Sequence, residues 1–247
     1  MSIDTISKPL LHNTLIALCV VFMASVFSYL VLRSHLLIGI GTIASAATLL
    51  LFIFALVIYA LPSHNHRRFG AANVVTAIRA AIVSLVGATV LFAGERLVLE
   101  PALPALIALA MSALALDCVD GYLARRFRLV SALGARFDME VDALLILVLS
   151  ITVLLLEKAG GWVLLIGLMR YGFVLAQYPF PWLRAPLDDC FRRKLICVVQ
   201  VGALCIIMLP FITPPVSTAI AAVALLLLFY SFTVDVLHLL RHAGEAR

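Results

Sequence analysis

The chain has 247 residues, of which 64% are hydrophobic and 13% charged, and its mean hydropathy is +1.16. Soluble domains carry about 25% charged residues, so a water-soluble globule is excluded, and the abundance of apolar residues excludes disorder. The formal charge of +5 sits in short clusters between long uncharged stretches, which reads as membrane topology and lipid-surface contact, with no nucleic-acid partner.

A membrane-spanning helix needs about 20 apolar residues. Uncharged stretches cover residues 13–32, 36–62, 80–94, 101–116, 143–156 and 201–234, and a further run over 159–180 is interrupted only by Arg170. The last long stretch has room for two helices, broken at Thr213-Pro214-Pro215. The pattern predicts an all-α integral membrane protein of eight transmembrane helices, over about 13–32, 37–61, 73–94, 101–124, 137–156, 160–178, 195–212 and 217–240. The first segment reads as a retained helix, because no A-x-A-like site lies at its end and a second apolar helix comes straight after.

Cations fix an orientation. Lys8, Arg67, Arg68, Arg125, Arg126, Arg128, Arg136, Arg184, Arg192, Arg193, Lys194, Arg241 and Arg247 fall on one side, against Arg33, Arg96 and Lys158 on the other. The positive-inside rule places both termini and the basic loops in the cytoplasm. In a bacterium, that membrane would be the inner one. The five cysteines, Cys19, Cys118, Cys190, Cys197 and Cys205, form no C-x-x-C pair and read as buried small hydrophobes.

In chain order, the first chemistry-bearing residues are Asn73, Thr76 and Arg79 at the start of the third helix. On their own they also suit a helix cap and a snorkelling arginine. The fourth helix ends with Asp117 and Asp120, and the fifth begins with Asp138 and Asp142. Acids at membrane depth are costly and usually functional. Asp117, Asp120, Gly121 and Ala124 share one helix face, Asp138 and Asp142 lie one turn apart, and the intervening turn brings both pairs to the cytoplasmic mouth. Hard carboxylate oxygens suit Mg²⁺ or Mn²⁺, and such a set can hold two ions about 4 Å apart. Gly121, Ala124 and Gly134 leave room for a diphosphate, and Arg125 offers it a fork of donors. The bland alternative is a set of structural ion pairs with Arg125, Arg128 or Arg136. Glu140 lies off this pattern and reads as a rim residue, and His64 and His66 lie far off in a basic loop.

Asp117-x2-Asp120-Gly121-x2-Ala124-Arg125-x8-Gly134-x3-Asp138-x3-Asp142 resembles the signature of the CDP-alcohol phosphotransferase family, class I, at all eight positions. Asn73-x2-Thr76-x2-Arg79 resembles a second motif of that family, with Ala72 where the family usually has proline. The resemblance covers about residues 70–240. It divides the chain into an N-terminal transmembrane hairpin and basic loop (1–69) and a catalytic core of six helices (70–247).

The resemblance implies an enzyme of phospholipid synthesis, transferring a phosphatidyl group from CDP-diacylglycerol to an alcohol and releasing CMP. It implies direct in-line attack without a covalent enzyme intermediate. Asp117, Asp120 and Asp138 would be metal ligands, and Asp142 the general base and a ligand of a second metal. Asn73, Thr76, Arg79, Asp120, Gly121, Ala124, Arg125 and Gly134 would line the CDP site. Family members are often homodimers.

For the acceptor, Arg170 interrupts an apolar helix, and Arg192, Arg193 and Lys194 open the next one. Arg170, Arg193 and Lys194 are expected to bind a phosphate on the acceptor, with glycerol 3-phosphate first and inositol phosphate next. Gln200 resembles the glycerophosphate branch weakly, since Ile196 and Cys197 depart from its pattern. A free alcohol such as serine, choline or inositol stays open. The basic triplet is also what the positive-inside rule places there. Asp235 and His238 share a helix face and suit a local contact. An ion-coupled transporter is the alternative of a different class, but it would spread its acids through the bundle depth.

Overall fold

A computed structural model describes residues 8–36, 39–63, 69–93, 102–126, 131–184 and 191–245. These residues form eight α-helices and short 3-10 turns, with no strand among them. The helices are α1 (Lys8–Leu36), α2 (Ile40–Ala60), α3 (Ala71–Ala93), α4 (Ala102–Arg126), α5 (Ala132–Leu155), α6 (Leu164–Ala176), α7 (Phe191–Ile207) and α8 (Val216–Glu245). Four described stretches, Pro9–Arg33, Ile40–Ala60, Ala71–Phe92 and Val216–Arg241, are long and apolar enough to cross a membrane, and Leu103–Asp117 and Gly161–Ala176 are shorter apolar helices. Large apolar side chains such as Phe27, Leu91 and Leu226 stand exposed, as lipid-facing residues do. Cys19 is among the exposed positions, so the expectation that every cysteine is buried fails there, while Cys205 is buried; both are free thiols. Cys118 and Cys190 lie outside what the structure describes at side-chain level.

The chain divides into two compact units, residues 1–145 and 146–247. In the first, α3 is the inner helix: 72% of its apolar window is buried, against 17% for α1 and 28% for α2. Lipid tails are as apolar as leucine, so helices associate here by close packing of small residues. α3 supplies Ala77, Ala80, Ala81, Ser84 and Ala88, all buried, and α4 supplies Ala110 and Ala113. α2 buries Ile43, Ala46, Leu50, Phe54 and Val57, a stripe at helical spacing, and packs on α3.

Several helix starts differ from expectation by up to five residues, two of them for evident local reasons. α3 begins at Ala71, directly after Gly70, whose φ of 83° breaks the preceding backbone where an L side chain would be strained. α5 begins at Ala132, five residues before the expected start, because Ser131 caps it: its Oγ accepts from Gly134 N at 3.0 Å. α7 stops at Ile207, ahead of the expected Thr213-Pro214-Pro215 break. Pro210 disfavours helix at the residue before it.

In the second unit the turn after α5 is tied to the turn after α7. Lys158 Nζ donates to Leu209 O at 3.3 Å and Ile212 O at 2.5 Å, satisfying carbonyls just beyond the helix end. Ser217 Oγ donates back to Lys158 O at 2.5 Å. Gln200 Nε2 donates to Ala224 O at 2.8 Å between α7 and α8, and Phe173 meets Phe232 edge-on between α6 and α8.

Gly167 sets the approach of α6 to α5. A Cβ there would lie 2.5 Å from Leu147 Cα, a backbone atom with no cheap escape. Gly167→Ala is therefore expected to destabilise the protein by about 1–3 kcal/mol, the usual penalty of overpacking. The thermal midpoint in detergent checks this, and an unchanged midpoint would mean that the two helices separate freely.

Candidate active site

The first unit brings side chains from three helices to one point. Arg79, in the third turn of α3, is 1% exposed and among the largest fully buried side chains. It does not snorkel. Its Nε donates to Ala113 O of α4 at 3.1 Å, one turn before Asp117. Its Nη1 lies 3.1 Å from Asp117 Oδ1 and donates to Asp138 Oδ1, and its Nη2 donates to Asp142 Oδ1. One guanidinium thus reaches α4 and two successive turns of α5, which its planar fork allows and an ammonium would not.

Asp117, Asp138 and Asp142 each offer a carboxylate oxygen, and the three oxygens lie within 4.8 Å of one another. The carboxylates are 24%, 29% and 21% exposed, so the cluster opens to solvent on the side away from Arg79. Taken by itself, this set of four carries two more negative than positive charges. Carboxylates so close need further positive charge, and all the donors are hard oxygens, which fits Mg²⁺ or Mn²⁺. Among the described residues, Asp117, Asp138 and Asp142 are able to hold such an ion.

A second junction lies nearer the start of α3. Asn73 is buried, and its Nδ2 donates to Phe69 O. A Cβ on Gly134 would stand 2.5 Å from Asn73 Oδ1 and 3.1 Å from Ser131 Oγ. The lack of a side chain at Gly134 therefore lets α5 lie against Asn73, a role in helix contact that the sequence did not suggest. Thr76 is buried, with its hydroxyl turned to Ala72 O of its own helix at 3.1 Å. Gly121 is half-buried one turn beyond Asp117, whereas the side chains of Asp120, Ala124 and Arg125 lie outside the described residues. So do Arg128, His64 and His66. Arg136 and Glu140 are exposed, and among the described residues the buried cation facing the aspartates is Arg79.

The expected acceptor residues belong to the second unit. Arg170 is half-buried in α6, and Lys194 is exposed on α7. Arg192 Nη1 donates to Ser231 O at 2.8 Å and Nη2 to Asp235 Oδ1 at 2.5 Å, and Arg193 Nη1 lies 3.6 Å from the same carboxylate. The cross-helix role of Asp235 escaped the sequence, where spacing along one helix suggested His238 as its neighbour.

No curated protein and no solved structure matches the chain. A family profile does: CDP-alcohol phosphatidyltransferase, over residues 69–233. The match runs from the residue before Gly70 to the middle of α8 and takes in every element of the carboxylate cluster. The chain therefore belongs to the CDP-alcohol phosphatidyltransferase family, enzymes that transfer a substituted phosphate group from a CDP-alcohol to an alcohol.

Proposed function

We propose that this protein transfers the phosphatidyl group of CDP-diacylglycerol to a small phosphorylated alcohol at the cytoplasmic face of its membrane. The observation that carries the reading is the convergence of Asp117, Asp138 and Asp142 around Arg79. Asp117 and Asp138, together with Asp120, would hold the divalent ion that the family uses. Bound there, Mg²⁺ or Mn²⁺ supplies positive charge against the diphosphate and the departing CMP. Two ions are the expected complement, with Asp142 contributing to the second.

Asp142 takes the proton of the acceptor hydroxyl, which is a poor nucleophile until then. The acceptor oxygen forms its bond to the lipid-side phosphorus as the bond to CMP breaks, and CMP leaves with the electron pair. Arg79 holds Asp138 and Asp142 at fixed orientation throughout, so little reorganisation accompanies the reaction. Asn73, Thr76, Arg79, Asp120, Gly121, Ala124, Arg125 and Gly134 line the CDP site in this reading. Residues 1–69 form an added hairpin and loop on a core of residues 70–247. The excess of cations on one side supports the cytoplasmic placement of the site and both termini.

Arg170, Arg193 and Lys194 are the acceptor-binding residues, with glycerol 3-phosphate the first choice and inositol phosphate the second. A free alcohol is the second reading. It is favoured by Asp235, whose carboxylate already engages Arg192 and lies near Arg193.

The test is metal-dependent CMP release from CDP-diacylglycerol by the purified chain, offered glycerol 3-phosphate, inositol 1-phosphate, inositol, serine and choline in turn. Release with a phosphorylated acceptor supports the first reading, and release with a free alcohol alone supports the second. Release with none of them overturns both. With a phosphorylated acceptor, Arg170→Ala should raise its KM about tenfold or more, the loss expected for a charge-assisted bond. An equal rise in the KM for CDP-diacylglycerol would remove Arg170 from the acceptor pocket.

A further inference from the structure

We propose that α1, which lies outside the stretch matched to the family, positions α3 for nucleotide binding through Asn13 and Tyr29. The inference rests on the functional reading above, since it takes Arg79 and Asn73 as parts of the working site.

Polar side chains in an apolar helix generally turn to their own backbone. Ser25 and Ser28 do so, donating to Val21 O and Ala24 O one turn back. Asn13 and Tyr29 instead reach across to α3. Tyr29 is 3% exposed, and its hydroxyl donates to Ala81 O at 2.5 Å. Ala81 lies two residues beyond Arg79. Asn13 Oδ1 accepts from Phe69 N at 3.2 Å, just ahead of the Gly70 turn that starts α3. Both pairs ascend in sequence, so α1 and α3 run parallel. The two bonds bracket the segment that carries Asn73, Thr76 and Arg79.

The lower bond also connects onward. Asn13 holds Phe69, which is 1% exposed, and Phe69 O accepts from Asn73 Nδ2. Asn73 Oδ1 fills the space in front of Gly134. From there α5 runs one turn to Asp138 and two to Asp142. A shift of α3 along its axis would carry Arg79 off Ala113 O and away from the carboxylates together. Dispersion contacts between smooth apolar helices resist sliding weakly, whereas a directed bond at each end fixes the register. Asn13 and Tyr29 are positioning residues, acting through α3.

The experiment is binding of CDP with Mn²⁺ to the full-length protein in detergent, at a temperature where every variant is folded. Tyr29→Phe and Asn13→Ala should each weaken CDP binding about fivefold, the loss of one net hydrogen bond. Asn13→Asp, which keeps the acceptor oxygen, should restore it, and Asn13→Leu should not. Ser28→Ala, which removes a bond internal to α1, should bind CDP as the unaltered protein does. Variants that lose thermal stability but bind CDP normally would show that α1 is only packing, and the proposal would fall. If the unaltered protein takes up no CDP with Mn²⁺, the functional reading itself fails, and this inference with it.

Discussion

Arg79→Lys is expected to fold and to lose at least about a hundredfold in turnover. The ammonium keeps the charge but has no planar fork, so it cannot satisfy Ala113 O while bonding Asp138 and Asp142 on adjacent turns of α5. One or more carboxylates then rotates, and a misplacement of about 1 Å at a reacting group typically costs about a hundredfold. Arg79→Ala should go further and destabilise the fold itself. Removing one partner of a buried ion pair costs about 3–5 kcal/mol. The lower end applies here, because the three carboxylates are 21–29% exposed while Arg79 is 1% exposed. Turnover and thermal midpoint, measured on both variants, separate the two effects. A lysine variant within tenfold of normal turnover would mean that charge alone suffices and that the fork geometry is incidental.

The contrast between these variants shows what the sequence can carry. The helices were legible because length and apolarity determine them, and the aspartate spacing marked the site because four acids at membrane depth demand compensation. The partner of the acids was harder to read. Arg79 lies 63 residues from Asp142, and no periodicity links them. Their meeting depends on Ala77, Ala80 and Ala113 being small enough for α3 and α4 to close up. Gly134 was legible as a residue needing space, but its neighbour Asn73 was not. Asp235 was assigned to its own helix face because spacing rules describe a single helix, whereas Arg192 comes from α7. Asn13 and Tyr29 left no signal at all, since a lone polar residue in an apolar helix does not name the carbonyl or N–H it meets.

Asp142→Asn should abolish transfer while leaving the fold and CDP binding close to normal. The amide is nearly isosteric, and its oxygen can still accept from Arg79 Nη2, so the junction of α3 with α5 persists. What disappears is a group able to take a proton from the acceptor hydroxyl. Loss of a general base typically lowers turnover by about 10²–10⁴-fold. The effect should therefore fall on kcat, with KM for CDP-diacylglycerol changed little. Asp117→Asn gives the opposite pattern, because Asp117 meets the cluster from α4 as a ligand and lies 3.1 Å from Arg79 Nη1. There the Mn²⁺ concentration for half-maximal rate should rise while the rate at saturating metal partly recovers. The pair of profiles decides the assignment. If excess Mn²⁺ restored Asp142→Asn to near-normal turnover, Asp142 would be acting only as a ligand of the second ion, and the base would have to be sought elsewhere. If neither variant responded to metal and both lost kcat alike, the division of labour among the three aspartates would be wrong.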